Sequence, residues 1–413
     1  MAAFKTIAID GKLIEEVKQF AEQENRQGLK KLIDEMRAAD LADLIEHLDP
    51  EERLFIINLL EPYGAGEVLV EIETPVQELI LKDLDNQAIT EIVQVLDSDD
   101  AADLVGDLPD DRAREIIESV GDEVSEELEK LLPYPEDTAG GIMALEFVAV
   151  KADASVKDAI DTIREKREEV ENLYYIWVVD DVGKLVGVIS LKDLVLELTD
   201  RKISDIMNTE VISVHVDTDQ EEVARLVKKY DLVAIPVVGD DHRLVGRITH
   251  DDIIDVIEEE ADEDISLMAG VIDQEIAEES TLKISRARLP WLILGLLAGI
   301  IAAAVINQFE ASLERVLALS FFFPVIMAMG GSTGTQAATI VVRGLATGDI
   351  SLMNIGKRLW MEMRVALVNA LVCGMLLGLI VGTWVSDYAL GSVVGLALVL
   401  IIVNAGVIGS AVP

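Results

Sequence analysis

Four apolar stretches in the last third of the chain limit what it can fold into. They cover residues 289–309, 317–346, 359–384 and 388–412, and each exceeds the roughly 20 residues that carry a helix across a roughly 30 Å hydrocarbon core. No water is available at that depth to satisfy backbone amides, so each stretch must be a helix that bonds to itself. The second stretch carries Gly330-Gly331-Ser332-Thr333-Gly334-Thr335-Gln336 in its middle. Polar groups inside a bilayer are kept where they face another helix or a water-filled path. Two readings follow. Gly330 and Gly334 form a GxxxG pair that lets helices approach closely; alternatively, carbonyls freed by glycine join Gly331, Ser332 and Thr335 in lining a path for a hydrated ion.

The net charge of −43 and the 51% hydrophobic content average two unlike parts. Residues 281–413 hold eight Lys or Arg against five Asp or Glu, a balance of +3, so the first 280 residues carry the whole net negative charge. A surface of that sign repels nucleic acid and anionic lipid, excludes DNA or RNA as partners, and favours cations. The single cysteine, Cys373, lies in an apolar span and gives no disulfide framework. The opening MAAFKTIAIDGKLIEE has no apolar core for a signal peptide. Lys283, Arg286 and Arg288 precede the first span, and Arg343, Lys357 and Arg358 separate the second from the third. The other connections hold Glu310, Glu314 and Asp387 with Arg315 alone. Positive-inside logic puts the acidic half in the cytosol. Glu362 and Arg364 open the third span, where they can snorkel to the interface.

The acidic half repeats itself in two ways. LADLIEHLDPEERLFII from Leu41 is matched 60 residues later by AADLVGDLPDDRAREII from Ala101, which predicts stacked helical hairpins over residues 1–136. IWVVDDVGKLVGVISLKDLV from Ile176 returns 59 residues later as IPVVGDDHRLVGRITHDDII from Ile235. Each copy reads as strand, turn, strand and helix start, with the turns expected at Gly187 and Gly246. Ser190 to Asp193 and Thr249 to Asp252 are S/T-x-x-D openings, which serve as capping boxes as readily as they supply ligands. Residues 251–279 form a helical stretch with a dense acidic face leading to the first span.

No nucleophile and base pair, phosphate-cradling loop or zinc-spaced Cys/His set is present, and His47, His215, His242 and His250 are scattered, so no enzyme is expected. The carboxylates are different. Asp99 and Asp103 are four apart, and Asp252, Asp255, Glu259 and Glu263 recur at three and four, so each set shares one helix face. Two unit charges about 4 Å apart repel by roughly 4 kcal/mol at an effective dielectric near 20. Such faces separate unless a divalent cation lies between them, and Mg2+ needs only one or two carboxylates with retained waters. A plain acidic surface is the competing reading.

The order of these parts, ending in PVIMAMGGSTGTQAATIVVRGLA, resembles the MgtE family of magnesium channels and transporters over essentially the whole chain. The resemblance implies a multidomain membrane protein. Its parts are an all-α helical-repeat N-terminal domain (1–136), an α/β CBS-domain pair (137–205 and 206–262), an acidic connecting helix (263–288) and an α-helical transmembrane bundle (289–413). It implies a homodimer in the inner (plasma) membrane with cytosolic N-terminal domains, a Mg2+-selective pore, and closure by cytosolic Mg2+. The implied sensor carboxylates are Glu67, Asp99, Asp103, Asp219, Glu221, Asp231, Asp252, Asp255, Glu260, Glu263 and Asp264, and the implied pore residues Gly331, Ser332 and Thr335. ATP at the CBS cleft would involve Tyr175 and Asp193. The family's motif often has Asn where this chain has Ser332, and in some members where it has Thr335. Its members continue past the position of Pro413 into a fifth span carrying a pore aspartate, so a longer protein is expected. A membrane-anchored ion or nucleotide sensor without conduction is the alternative function.

Overall fold

The computed structural model describes residues 9–23, 25–34, 36–167, 172–269, 281–346 and 355–411. They divide into two compact units, Met1–Glu259 and Glu260–Pro413. The expected connecting helix over 263–288 falls partly on 270–280, outside the described residues.

Among the described residues the first unit opens with ten short helices. They are α1 (Gly11–Glu22), α2 (Arg26–Ile33), α3 (Ala38–Glu46), α4 (Pro50–Ile57), α5 (Pro62–Val70), α6 (Thr74–Asp83), α7 (Asn86–Val93), α8 (Ser98–Gly106), α9 (Asp110–Ser119) and α10 (Asp122–Leu131). Their brevity is written into the chain, because an Asp, Asn, Glu, Gly or Pro stands at most of the junctions. Proline takes the first turn of α4, α5 and α6, where its missing N–H costs nothing. The 60-residue repeat appears as two helical hairpins, α3–α4 and α8–α9. Helix α3 packs on α5, α5 on α7 and α7 on α9, with α4 on α6 and α8 on α10, so the hairpins stack as the repeat predicted. Arg112 of α9 ties the stack crosswise by donating to the Leu81, Lys82 and Leu84 carbonyls at the end of α6.

Two three-stranded sheets follow. The first holds β1 (Ala149–Lys151), β2 (Tyr175–Val179) and β3 (Leu185–Ser190), with α11 (Val156–Glu165) and α12 (Leu191–Leu196). The second holds β4 (Val214–His215), β5 (Ala234–Val238) and β6 (Leu244–Thr249), with α13 (Gln220–Tyr230) and α14 (His250–Ala269). In both, the outer pair is parallel and the hairpin antiparallel, and the register breaks at equivalent places, Val178/Val179 and Val237/Val238. Gly187 and Gly246 are not turns. They sit inside β3 and β6, where a Cβ would come within 2.7 Å of the sulfur of Met207 or Met143. The turn of the first hairpin is at Gly183, with φ 84°. One apolar core runs from the helical stack into the second sheet, joining Ile116, Leu128 and Met143 to Val223, Ile235 and Ile248. The first sheet keeps its own core around Val156, Ile176, Ile189 and Leu194.

The second unit contains α15 (Thr281–Asn307), α16 (Glu310–Arg315), α17 (Phe323–Ala346), α18 (Ile355–Trp384) and α19 (Tyr388–Ala411). Among the described residues four segments are long and apolar enough to cross a membrane by length and composition, Ile284–Asn307, Leu317–Gly344, Gly356–Trp384 and Tyr388–Ala411. Helices α17 and α18 both pack on α19, while the apolar part of α15 is exposed on every side. The α18–α19 contact is backbone on backbone. A Cβ on Gly395 would meet the Gly374 carbonyl at 2.5 Å, and one on Gly378 the Gly391 carbonyl at 2.9 Å. Glu362, two turns into α18, is not left reaching outward: it is buried and accepts a hydrogen bond from Arg358 Nη2 at 2.7 Å, a pairing that a buried carboxylate needs. Arg364 is exposed.

Candidate metal site

Two helix starts supply the centre of the site. Helix α8 begins with Asp97 at its cap and Ser98, Asp99 and Asp100 in its first turn. The Ser98 N–H and hydroxyl both donate to the Glu146 carboxylate, at 3.1 and 2.8 Å, and the Leu145 N–H donates to the Ser98 hydroxyl at 2.8 Å. The first turn of α8 is thereby stitched to the segment that enters β1. Asp252 lies in the first turn of α14 and accepts from the Thr249 N–H at 2.9 Å and hydroxyl at 2.7 Å. The capping reading of this motif holds, and the same carboxylate also acts on Asp99 and Asp100.

The electrostatics show how poorly these charges are compensated. Asp99 is only 9% exposed. Burial first, then Asp252, Asp100, Glu146 and Asp97, hold its carboxyl well above the usual range. Burial and the same neighbours, with Asp251, push Asp100 up to about 7. Asp103, one turn further, is raised to about 8 by the protein packed around it and then by Asp100, Asp107, Glu136 and Glu259. Asp103 is exposed at the edge of a cavity of about 550 Å³ between α8, α9, α10 and residues 134–141, so water screens part of that rise. Asp255 is pushed to about 6 by burial, then Asp252, Glu71 and Glu259. Helix dipoles favour acids at the starts of α8 and α14, but the neighbours that act on Asp99 and Asp100 are all carboxylates.

The structure therefore brings Asp99, Asp103, Asp252 and Asp255 into one electrostatic neighbourhood and adds Asp97, Asp100, Glu146, Asp251 and Glu71. Glu67 lines a separate cavity of about 240 Å³ with Lys30, Asp34, Arg37 and Glu61. Asp219 caps α13 and accepts from the Glu221 N–H, whereas Asp231 is the left-handed cap at its other end, φ 50°. The 11 residues between them span roughly 16 Å, so these residues cannot share one ion within a chain. Glu260, Glu263 and Asp264 lie on later turns of α14. Among the described residues no three His, Cys, Asp or Glu side chains converge as direct ligands. That donor set fits a hydrated, oxygen-loving ion held through its waters rather than a stripped one.

In the second unit, α17 stays helical through its glycine run, so no carbonyls are freed there. Gly334 meets Gly409 of α19, and Gly330 faces Ile401, which favours the packing reading for that pair. Gly331, Ser332, Thr335 and Gln336 are exposed and form a polar strip on an otherwise apolar helix. Tyr175 pairs with Ser190 across β2 and β3, and the Ser190 hydroxyl bonds to Asp193 at 2.6 Å, so both expected nucleotide residues stand at one end of that sheet. The cavity beside Tyr175 measures about 10 Å³, room for one water.

Comparison with known proteins agrees with this architecture. The model for the MgtE intracellular N domain matches residues 36–137, that for the CBS domain residues 139–200 and 203–259, and that for the divalent cation transporter residues 323–413. The magnesium transporter MgtE of Thermus thermophilus is 36% identical over 412 residues, 98% of this chain and 91% of that one. That of Enterococcus faecalis is 40% identical over 291 residues, 70% of this chain and 64% of that one, so the match spans less than two thirds of that relative. A crystal structure of the cytosolic domain of the Mg2+ channel MgtE in complex with ATP shares 35% identity, covers 59% of this chain and 99% of that one, and superposes with a TM-score of 0.56. Helical stack, paired sheets and long apolar helices stand here in the order those proteins have them, and the chain belongs to the MgtE family of magnesium transporters.

Proposed function

We propose that the protein is a homodimeric Mg2+ channel of the inner membrane, closed by Mg2+ bound on the cytosolic side at the carboxylate cluster. The observation that carries this reading is Asp99, buried among carboxylates with no basic group within 4.0 Å among the described residues. Mg2+ between Asp99, Asp100 and Asp252 screens their repulsion and holds the helical stack against the CBS pair. When cytosolic Mg2+ falls, repulsion favours an opened arrangement, a population shift set by the difference in ion affinity between the two. The strip of Gly331, Ser332 and Thr335 supports the conducting part, because polar groups in hydrocarbon must be covered by protein or water. A second copy of the chain provides that cover and completes a path for the hydrated ion.

A nucleotide in the CBS cleft is a second reading, favoured by Tyr175 and Asp193 standing together and by the ATP in the related cytosolic domain. It requires the small cavity beside Tyr175 to widen.

The test is protease protection of the full chain in detergent as Mg2+ is titrated. The wild-type chain gains protection with Mg2+, and neutralising Asp99, Asp103 and Asp252 together (Asp→Asn) abolishes that dependence. An unchanged Mg2+ response in the triple variant would sink the sensing model.

A further inference from the structure

A buried cation with an unmade hydrogen bond stands beside the carboxylate cluster. Arg247, on β6, is 6% exposed. Its Nη1 donates to the Asn172 carbonyl at 2.8 Å, while its buried Nε has no hydrogen-bond partner. No carboxylate oxygen of the described residues lies within 4.0 Å of the guanidinium. A buried charge without a contact partner is costly, so among the described residues its compensation comes from longer range.

The strand geometry indicates what that is. Arg247 and Thr249 are two apart on β6, so their side chains leave the same face, and Thr249 anchors Asp252 through two hydrogen bonds. Arg247 also exchanges backbone hydrogen bonds with Ala144, at 2.9 and 2.8 Å, two residues before the Glu146 that holds Ser98. The cation is thus fixed on the same framework as the cluster. Its charge opposes the upward pressure on the Asp252 carboxyl.

The fold itself does not require an arginine here. The equivalent position 59 residues earlier is Val188, which makes the same kind of backbone pair with Asn208 in a sheet of identical topology. Among the described residues the valine-bearing repeat brings no carboxylate cluster to its helix start, and Asp193 there is exposed beside Lys192.

We infer that Arg247 is a positioning residue that sets the cation affinity of the cluster: its fixed positive charge beside Asp252 weakens the hold on Mg2+ and moves the set point to higher concentration. This rests on the Mg2+ reading of the cluster. Arg247→Val installs the residue the first repeat already uses. With Mg2+ alone titrated against protease protection of the full chain, Arg247→Val is expected to lower the midpoint about fivefold or more, as loss of a nearby like charge predicts. Arg247→Lys should keep a midpoint close to wild type, and the gap between Val and Lys variants should shrink as KCl is raised. A residue that merely supported the fold would raise the midpoint when lost, not lower it. If Arg247→Val melts before the titration, Arg247→Gln is read in the same way. A normal wild-type response with an unshifted or raised midpoint in the folded neutral variant overturns the inference alone. No Mg2+ response in the wild-type chain overturns the metal reading of the cluster and the inference with it.

Discussion

At the starts of α8 and α14, like charges are held together in a half-dry space, opposed by the Arg247 charge only at the Asp252 end. From Val365 to Trp384 in α18 and throughout α19 the sequence has no charged residue, and backbone meets backbone so closely that a single methyl has no room. On the proposed reading the first contact would gain stability from an ion that is free to leave, so its strength would follow the solution. The second gains it from dispersion between groups that cannot leave, and it has one geometry. The carboxylate contact is suited to changing and the glycine contact to staying fixed.

The sharpest way to break this contrast is to add bulk to the fixed contact. Gly395→Leu places a side chain where the Gly374 carbonyl sits and is expected to destabilise the chain in detergent by about 3 kcal/mol or more, measured by unfolding in SDS. Gly299→Leu, on α15 with open space around its Cβ position, should leave that midpoint unchanged. Equal effects of the two would mean that the α18–α19 seam is not close-packed.

The second prediction concerns pH. Asp100 is raised from 3.8 to about 7, and Asp107 to about 6. In the folded state these groups hold protons that the unfolded chain has released, so they stabilise the fold below about pH 4. That contribution is lost as pH rises through about 6 to 7. In Mg2+-free buffer the first unit should therefore lose on the order of 2 kcal/mol between pH 5 and 8, read from its thermal melt. Mg2+ should reverse the loss and release protons on binding, seen as a binding heat that depends on the buffer. A melt that rises with pH in Mg2+-free buffer would contradict the uncompensated cluster.

The smallest effect is at the seam that operates without metal. Ser98→Ala removes the hydroxyl bonds to Glu146 and Leu145 and should cost about 1 kcal/mol with and without Mg2+ alike. A loss seen only with Mg2+ present would place Ser98 in the ion's shell instead.

Much of the fold was legible because it repeats. The 59-residue echo predicted two sheets with the same hairpin, and the 60-residue echo predicted stacked hairpins, since periodicity and caps are local. Gly187 and Gly246 misled because a glycine beside Val-rich runs reads as a turn, and only a distant methionine explains it as a close approach inside a strand. In the cluster, Asp99, Asp103, Asp252 and Asp255 were found from helical spacing. Asp100, Glu146, Glu71 and Arg247 were not, because each matters through a partner on another element, and nothing in one sequence marks such a pairing. Glu362 went astray for the same reason: its burial depends on packing that the hydropathy of its own span does not report.

Asp252 has two roles, as a charge in the cluster and as the cap of a 20-residue helix. At 1.5 Å per residue α14 is about 30 Å long. Turning its capped end by roughly 5° to relieve a repulsion would sweep the far end through about 2.6 Å, since the arc grows with the length. A rearrangement too small to notice at a carboxylate thus becomes, one helix away, a displacement wider than a bare magnesium ion.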